Sequence, residues 1–394
     1  MKLTYKHTLY ASYLGYITQA IVNNLAPLLF IIFQKEFGIS IERIGILISI
    51  NFGIQITTDL IAAKYVDRIG YRICAVAAHI FCTVGLIGMG LFPYLFQDGY
   101  IGLLIAIAIN AIGGGLIEVL ISPIVESLPG DEKASAMSLL HSFYCWGHVA
   151  VVICSTLYFF TIGTQRWLYL PIMWAVIPLF NTILFMKVPL RKLVEDHEKI
   201  PLKKLITQRV FWIFFLLMIS AGASEQAMSQ WASFFAEDGL GVSKTMGDLL
   251  GPGAFAVLMG VSRVFYGMKS SKIELKRSLA FSALLCVISY FIAVFSPIPL
   301  ISLIGCGMCG LSVGIMWPGV FSLTSRYFPS GGTSMFALLA LAGDIGCSAG
   351  PGLVGFTADG VLKRGLLFAI IFPIIMIIGV IMLRKKRETV VKSA

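Results

Sequence analysis

Long runs of apolar residues recur along the whole chain and limit its possible folds more than any other feature. The runs reach about 20 residues or more, the length at which a helix can cross the hydrocarbon core of a bilayer. A soluble domain could not bury so many runs of this length, and only 13% of the residues are charged. Since spanning helices satisfy their own backbone hydrogen bonds, the sequence predicts an all-α membrane protein.

The spacing of these runs predicts twelve spans in two halves. The spans are predicted at 8–34, 42–64, 73–96, 100–128, 136–162, 167–187, 210–236, 246–268, 278–296, 298–325, 334–358 and 365–383. The longest polar stretch follows the sixth span. It predicts an N-terminal six-helix bundle over 1–187, a cytoplasmic central loop over 188–209 and a C-terminal six-helix bundle over 210–394.

Lys and Arg residues are distributed unevenly between the two sides of this predicted topology. Of the 30 in the chain, 24 fall on one side, Arg263 among them, and 6 on the other. Because positively charged loops stay in the cytoplasm, both termini are predicted to be cytoplasmic, in the plasma (inner) membrane. This topology explains the net charge of +10, so no nucleic-acid partner is expected.

The two halves contain a matching segment. Residues 115–128 and 310–323 both read G-L-x6-P-x-V-x-S-L, at an offset of 318 − 123 = 195 residues. Six spans separate the two copies, so both halves cross the membrane in the same direction. Parallel halves that enclose a site near the bilayer midplane form one known transporter architecture. The sequence therefore predicts two pseudo-symmetric bundles of this kind.

Residues 63–72, A-K-Y-V-D-R-I-G-Y-R, follow the second span. They resemble the signature between spans two and three of the major facilitator superfamily, G-x-L-x-D-R-x-G-R-R, from which Ala63, Tyr65 and Tyr71 depart. The resemblance implies a twelve-span transporter. An acidic and two basic residues on a short turn could hold the two halves together in one conformation. The alternative is that these charges only set the membrane topology. The residues predicted for this gating latch are Asp67, Arg68, Arg72 and Glu126.

Glu118 lies within an apolar span, where a carboxylate is costly and is by default a candidate for function. The surrounding segment, 113–128, resembles span four of the fucose-permease branch of the superfamily, with Ser122 in place of an Asn. In that branch the span-four Glu takes part in proton-coupled sugar uptake, which implies that Glu118 carries the proton. A protonated Glu with a structural role is the alternative.

The first span resembles the same branch in part. Residues 23–25, Asn-Asn-Leu, match a segment of the branch, and amide side chains can bind solute hydroxyls. Hydrogen bonding between helices is the alternative. The branch has a coupling Asp directly after this Leu, whereas this chain has Ala26 and Pro27. The scheme with two carboxylates therefore cannot be transferred whole, and Asp344 is the candidate for the missing acid.

The seventh span contains Glu225, Gln226 and Trp231 in a G-x-x-E-x5-W pattern that resembles sugar-transporting relatives. Sugars need hydrogen-bonding groups for their hydroxyls and a flat apolar surface for the ring. An interfacial position is the alternative for Trp231. His148, near mid-membrane in the fifth span, could shuttle protons or be a neutral, hydrogen-bonded histidine.

These features together predict a secondary active transporter that works by alternating access, with proton-coupled uptake of a monosaccharide or similar small polar solute. Proton-driven efflux of an amphipathic compound and transport of an organic anion are the alternatives. The predicted substrate-site residues are Asn23, Asn24, Glu118, His148, Glu225, Gln226, Trp231 and Asp344, with Glu118 and Asp344 as the proton-coupling acids.

Other classes of function fit the sequence less well. No P-loop and no paired catalytic or metal-binding motif is recognisable, so an enzyme, a metal site and a cofactor are not expected. A receptor would more often contain a sizeable soluble signalling domain. The expected partners are the solute, protons and the lipid bilayer, and the protein is expected to be a monomer.

Overall fold

Among the residues that the computed structural model describes, twelve helices are long and apolar enough to cross a membrane, so the predicted number is confirmed. The structure describes residues 3–129, 133–190, 205–269, 274–328 and 332–383, and no strand occurs in these ranges. The first six spans are TM1 (Tyr5–Phe37), TM2 (Ile41–Ala62), TM3 (Tyr71–Leu95), TM4 (Gly99–Val125), TM5 (Leu139–Ile162) and TM6 (Tyr169–Lys187). The second six are TM7 (Arg209–Gly239), TM8 (Lys244–Tyr266), TM9 (Leu275–Phe295), TM10 (Pro299–Tyr327), TM11 (Ala337–Thr357) and TM12 (Leu362–Met382).

An even number of spans places the start of TM1 and the end of TM12 at the same end of the molecule. We call this end the terminal face and the opposite end the far face. Several helices continue beyond their apolar spans, and the complete helices run over Ile41–Ile69, Gly99–Glu126, Lys133–Ile162 and Gly332–Thr357. Most of the predicted central loop, 188–209, lies outside the described residues, so the predicted domain limits stay predictions.

TM1 is interrupted in the half that approaches the far face. Its first helix, Tyr5–Asn24, is followed by a tight turn at Ala26–Leu29 that contains Pro27. Proline has no N–H group with which to continue the helical hydrogen bonds. The interruption therefore leaves backbone carbonyl groups available to other partners, and Leu28 accepts a hydrogen bond from Lys244 of TM8 at 2.7 Å.

Small residues bring TM7 and TM11 into backbone contact. A Cβ atom added at Gly346 would lie 2.1 Å from the carbonyl oxygen of Ile219, and one at Gly222 would lie 2.2 Å from that of Gly343. Close packing of this kind supplies much of the attraction between helices in a membrane, where apolar burial contributes little. Because Gly343 precedes Asp344, the contact places this acid beside TM7.

The two halves meet at the far face through TM2 and TM11. The hydroxyl group of Ser49 donates to the carbonyl of Ser348 at 3.3 Å, and that of Ser348 donates to the carbonyl of Ser49 at 3.1 Å. One turn away the backbones touch, since a Cβ atom at Gly355 would lie 2.8 Å from the Cα atom of Gly45. The structure is therefore a conformation that is closed at the far face.

Candidate substrate and proton site

A series of hydrogen bonds joins amide side chains of TM1 and TM2. Gln19 Nε2 donates to Gln55 Oε1 at 2.9 Å, and Gln55 Nε2 donates to Asn23 Oδ1 at 2.9 Å. Gln19 Nε2 also donates to Oε2 of Glu118 in TM4, at 3.4 Å. The predicted site residues Asn23 and Glu118 thus belong to one network, and two glutamines that the sequence analysis did not select connect them.

Asp59 of TM2 is a further acid at this network that the sequence analysis missed. It follows Gln55 by one helical turn, and its Oδ1 atom is buried without a hydrogen-bond partner among the described residues. Gly115 of TM4 makes room for it, because a Cβ atom there would lie 2.9 Å from Asp59 Oδ1. The signal was present in the sequence. An acid inside the predicted span 42–64 qualifies by the same reasoning that selected Glu118.

Tyr16 and Ser122 form the part of the network nearer the terminal face. Their hydroxyl oxygens lie 2.8 Å apart, and the Tyr16 ring makes an edge-on contact with His141, with ring centroids 5.2 Å apart. His141 of TM5 is exposed, whereas only 3% of the predicted site residue His148 is exposed. Of these two histidines, His141 is therefore the one that a solute can reach in this conformation.

Glu225 of TM7 forms an ion pair with Arg263 of TM8, with Oε2 and Nη2 3.1 Å apart. Gln226 Nε2 donates to the other carboxylate oxygen, Oε1, at 3.3 Å. The sequence analysis counted Arg263 only among the topology-setting charges of the terminal face. The structure corrects this interpretation, because the long arginine side chain extends into the bundle and reaches an acid in the middle of TM7.

Gln230 joins the two halves of the site. Its Nε2 atom donates to Gln226 Oε1 at 3.0 Å and to the backbone carbonyl of Asn23 at 2.9 Å. A small cavity at this junction is lined in part by the amide groups of Asn51 and Asn110. Polar groups of both halves therefore face a common space between TM1 and TM7.

Asn24 and Trp231 lie close to this junction. Asn24 Nδ2 donates to the carbonyl of Ala20 at 2.9 Å and to the hydroxyl of Tyr144 at 3.4 Å. Trp231 is completely buried, and its Nε1 atom donates to the carbonyl of Pro351 at 3.0 Å. Because protein covers the indole in this conformation, its role as a surface for a sugar ring stays a prediction about another conformation.

The acids of TM2, TM4 and TM11 approach one another across the two halves. Asp344 is partly buried and lies within electrostatic range of both Glu118 and Asp59. The two acids that the sequence analysis proposed for proton coupling are thus within electrostatic range of each other, and Asp59 is a third acid within that range. Glu225 differs from these three acids because its carboxylate forms an ion pair with Arg263.

A comparison with family models identifies the superfamily. The model of the Major Facilitator Superfamily matches residues 12–351 and 252–393. The chain belongs to the major facilitator superfamily. The predicted resemblance is therefore confirmed, and the chain is a transporter rather than an enzyme. A search of curated protein sequences finds no match.

Solved structures share the fold of this superfamily member over nearly its whole length. A bacterial homologue of the human lysosomal transporter Spinster, inward-facing and occupied, is 14% identical with a TM-score of 0.75, and the match covers 97% of both chains. A D-xylose–proton symporter is 16% identical with a TM-score of 0.75, over 96% of both chains. The fucose:proton symporter of E. coli is 17% identical with a TM-score of 0.66, over 96% of this chain and 98% of that one. These likenesses confirm the predicted architecture of two six-helix bundles.

The predicted latch of this transporter is described only in part. The guanidinium group of Arg72 donates to two of the last carbonyl groups of TM6, those of Phe185 and Met186, at 2.8 and 2.9 Å, and to the carbonyl of Val188 directly after TM6, at 2.8 Å. Carbonyl groups at a helix C-terminus lack helical partners and attract a cation. Arg72 therefore ties TM3 to TM6. The side chains of Asp67 and Glu126 lie outside the described part of the structure, so the latch stays a prediction.

Replacing Arg72 by Lys is expected to lower the thermal stability of the purified transporter. Lysine keeps the charge but lacks the planar fork that serves several carbonyl groups at once. Because Arg72 is exposed and solvent weakens its hydrogen bonds, the expected loss is only about 1 kcal/mol. Melting temperatures in detergent measure it, with Arg326→Lys at an exposed position near the terminal face as the control. Equal melting temperatures for Arg72→Lys and the parent would contradict the capping role.

Lys244 of TM8 strengthens the closure of the far face. Its Nζ atom lies 2.9 Å from Asp248 Oδ2, and only 12% of the side chain is exposed. Besides its hydrogen bond to the carbonyl of Leu28 in TM1, the ammonium group lies 5.2 Å from the ring centroid of Phe159 in TM5. A cation of the second half with little exposure is thus held by two helices of the first half.

Proposed function

We propose that this transporter moves a small polar solute, a monosaccharide or a molecule of similar size and polarity, together with a proton. The observation that carries the proposal is the network in which Glu118 meets the amide side chains of Gln19, Gln55 and Asn23. An acid beside groups that bind hydroxyls is what a carrier needs to couple the two binding events.

Glu118 is proposed to carry the proton. Negative charges that approach one another where little water is present repel strongly, and Asp59 and Asp344 both lie within electrostatic range of Glu118. A proton on one of the three acids relieves this repulsion. Loading of the proton would then favour the approach of the halves, which is the step that a symporter must couple to binding.

The amide side chains are proposed to bind the hydroxyl groups of the solute. Each amide offers two donors and one acceptor oxygen. In this structure Gln19, Gln55 and Asn23 bond to one another, and Gln230 bonds to Gln226. A polyol can exchange these mutual bonds for its own without leaving a buried polar group unsatisfied, which keeps the cost of binding low.

Alternating access would move this site between the two faces. The closed far face supports a cycle in which the present conformation communicates with the terminal face. The excess of Lys and Arg at the terminal face supports a cytoplasmic location of that face and of both termini, in the plasma (inner) membrane. The proposed unit of transport is the monomer, because each chain contains both halves of the site.

Transport by reconstituted protein tests this proposal. Proteoliposomes are offered labelled monosaccharides, polyols and organic anions, with and without an imposed proton gradient. We expect at least one small polar solute to accumulate only with the gradient, and a protonophore to abolish the accumulation. Uptake that is equal with and without the proton gradient would overturn proton coupling. Movement of amphipathic compounds alone would favour efflux instead.

A further inference from the structure

Arg263 places a cation near the centre of the molecule. Its guanidinium group bonds to Glu225 in the middle of TM7 and to Cys145 of TM5, so it lies where the two halves face each other. In the described ranges, the other ion pairs lie toward the two faces and involve Lys35, Lys244, Arg277 and Arg364. Uptake of a neutral sugar gives no reason for a cation at this depth.

The guanidinium group has more donors than good acceptors around it. It has five N–H groups. Nη2 donates to Glu225 Oε2 at 3.1 Å, and Nη1 donates to the Cys145 sulfur at 3.2 Å. A thiol is a weak acceptor, and Nε is buried without an acceptor among the described residues. Because 27% of the side chain is nevertheless exposed, a solute between the halves can reach it.

We propose that the transported solute is a polyhydroxylated monocarboxylate, a sugar acid, whose carboxylate binds Arg263 in place of the Cys145 thiol. This inference rests on the proposed transport function and names its substrate class. A carboxylate can accept two parallel hydrogen bonds from the guanidinium fork, which a thiol or a single hydroxyl cannot. The amide groups of Asn23, Gln55 and Gln226 then bind the hydroxyl groups.

The charge of such a solute fits the proposed coupling. Glu225 already balances the charge of Arg263, so a bound carboxylate adds one negative charge to a site that also contains Asp59, Glu118 and Asp344. One proton on Glu118 cancels that added charge. The loaded site then enters the closed state without a net change in charge, and a desolvation penalty for an uncompensated ion is avoided.

Binding of matched solute pairs to the purified transporter tests this inference. Galactose is compared with galacturonate, and glucose with glucuronate, by isothermal titration calorimetry, because each acid differs from its sugar at one carbon atom. We expect at least one acid to bind about ten-fold tighter than its sugar or better, the gain typical of a hydrogen-bonded ion pair. Lys35→Gln, which removes an exposed cation at the far face, should keep this preference.

Two variants at the site separate charge from geometry. Arg263→Lys keeps the charge without the fork and should lose most of the preference. The double variant Arg263→Gln/Glu225→Gln removes both charges, so no buried ion is left unpaired. This double variant should bind the acid and the sugar with equal affinity. A parent protein that binds the sugars as tightly as the acids, or that binds no acid, would overturn the inference, as would a preference that survives in the double variant.

The outcome is distinguishable from a failure of the proposed function. If protons drive accumulation of a neutral sugar and the corresponding sugar acid is not transported, the proposed function is kept and the sugar-acid inference is overturned. Binding of an acid that depends on Arg263, without accumulation in a proton gradient, would keep the inference and overturn proton coupling.

Discussion

Proteoliposomes that contain the Glu118→Gln variant are expected to exchange solute across the membrane but not to accumulate it. Glutamine keeps the shape of the side chain and an oxygen that can accept from Gln19, which approaches Glu118 at 3.4 Å. It cannot release a proton. Exchange moves no net proton and should persist, whereas accumulation, which draws its energy from the proton gradient, should be lost.

The expected effect is large enough to measure directly. A difference of one pH unit supplies about 1.4 kcal/mol per proton, which supports about ten-fold accumulation of a solute moved with one proton. The parent protein should approach this ratio, and Glu118→Gln should remain near an equal distribution. Asp359→Asn, which removes an exposed acid that bonds to Arg364 at the far face, is the matched control and should accumulate solute like the parent.

The same assay separates the three neighbouring acids. If Glu118 only orders the solute, exchange and accumulation should fall together in Glu118→Gln. If Asp59 or Asp344 is the coupling acid, Glu118→Gln should still accumulate solute, and Asp59→Asn or Asp344→Asn should not. Persistent accumulation by Glu118→Gln would therefore make us abandon the assignment.

The Gly45→Val variant is expected to hold the far face open. TM2 and TM11 touch at this position, because a Cβ atom at Gly45 would lie 3.0 Å from the Cα atom of Gly355. Overpacking of this kind costs about 1–3 kcal/mol, which corresponds to a shift of about 5- to 150-fold between two conformations. Transport should fall by a similar factor, since each cycle requires the far face to close.

Gly53 offers a matched control on the same helix. A Cβ atom there would meet nothing within 4 Å, so Gly53→Val should leave closure unchanged. Spin labels at positions 43 and 359, after replacement of the exposed Cys154, report the separation of the halves at the far face. A distance distribution in Gly45→Val that matches the parent would contradict the proposed role of this contact.

Much of the fold was predictable because it depends on properties that are read along the chain. The lengths of apolar runs determine where helices cross a membrane, and the distribution of Lys and Arg determines their orientation. The number of spans and the superfamily followed from these patterns and from residues 63–72, and both are confirmed. Glu118 and Glu225 were selected because an acid inside an apolar span is costly unless it has a function.

The site was less predictable because it depends on which side chains meet. Asp59 lies in a predicted span and qualified on the same ground as Glu118, but only the structure shows that Gly115 of TM4 makes room for it beside the network. Arg263 was assigned to the terminal face from its position near the end of a span, because its pairing with Glu225 requires the relative rotation of TM7 and TM8.

The sequence by itself thus determined that the chain spans a membrane twelve times, in two related halves, and which acids lie within the apolar spans. Only the tertiary structure decided which polar groups share a site and which face is closed. The physical reason is that helix contacts in a membrane depend on backbone approach at small residues. The contacts of Gly45 with Gly355, and of Gly346 with the carbonyl of Ile219, join spans that are distant in the chain. Their geometry, which no single span encodes, orients the polar side chains toward one another.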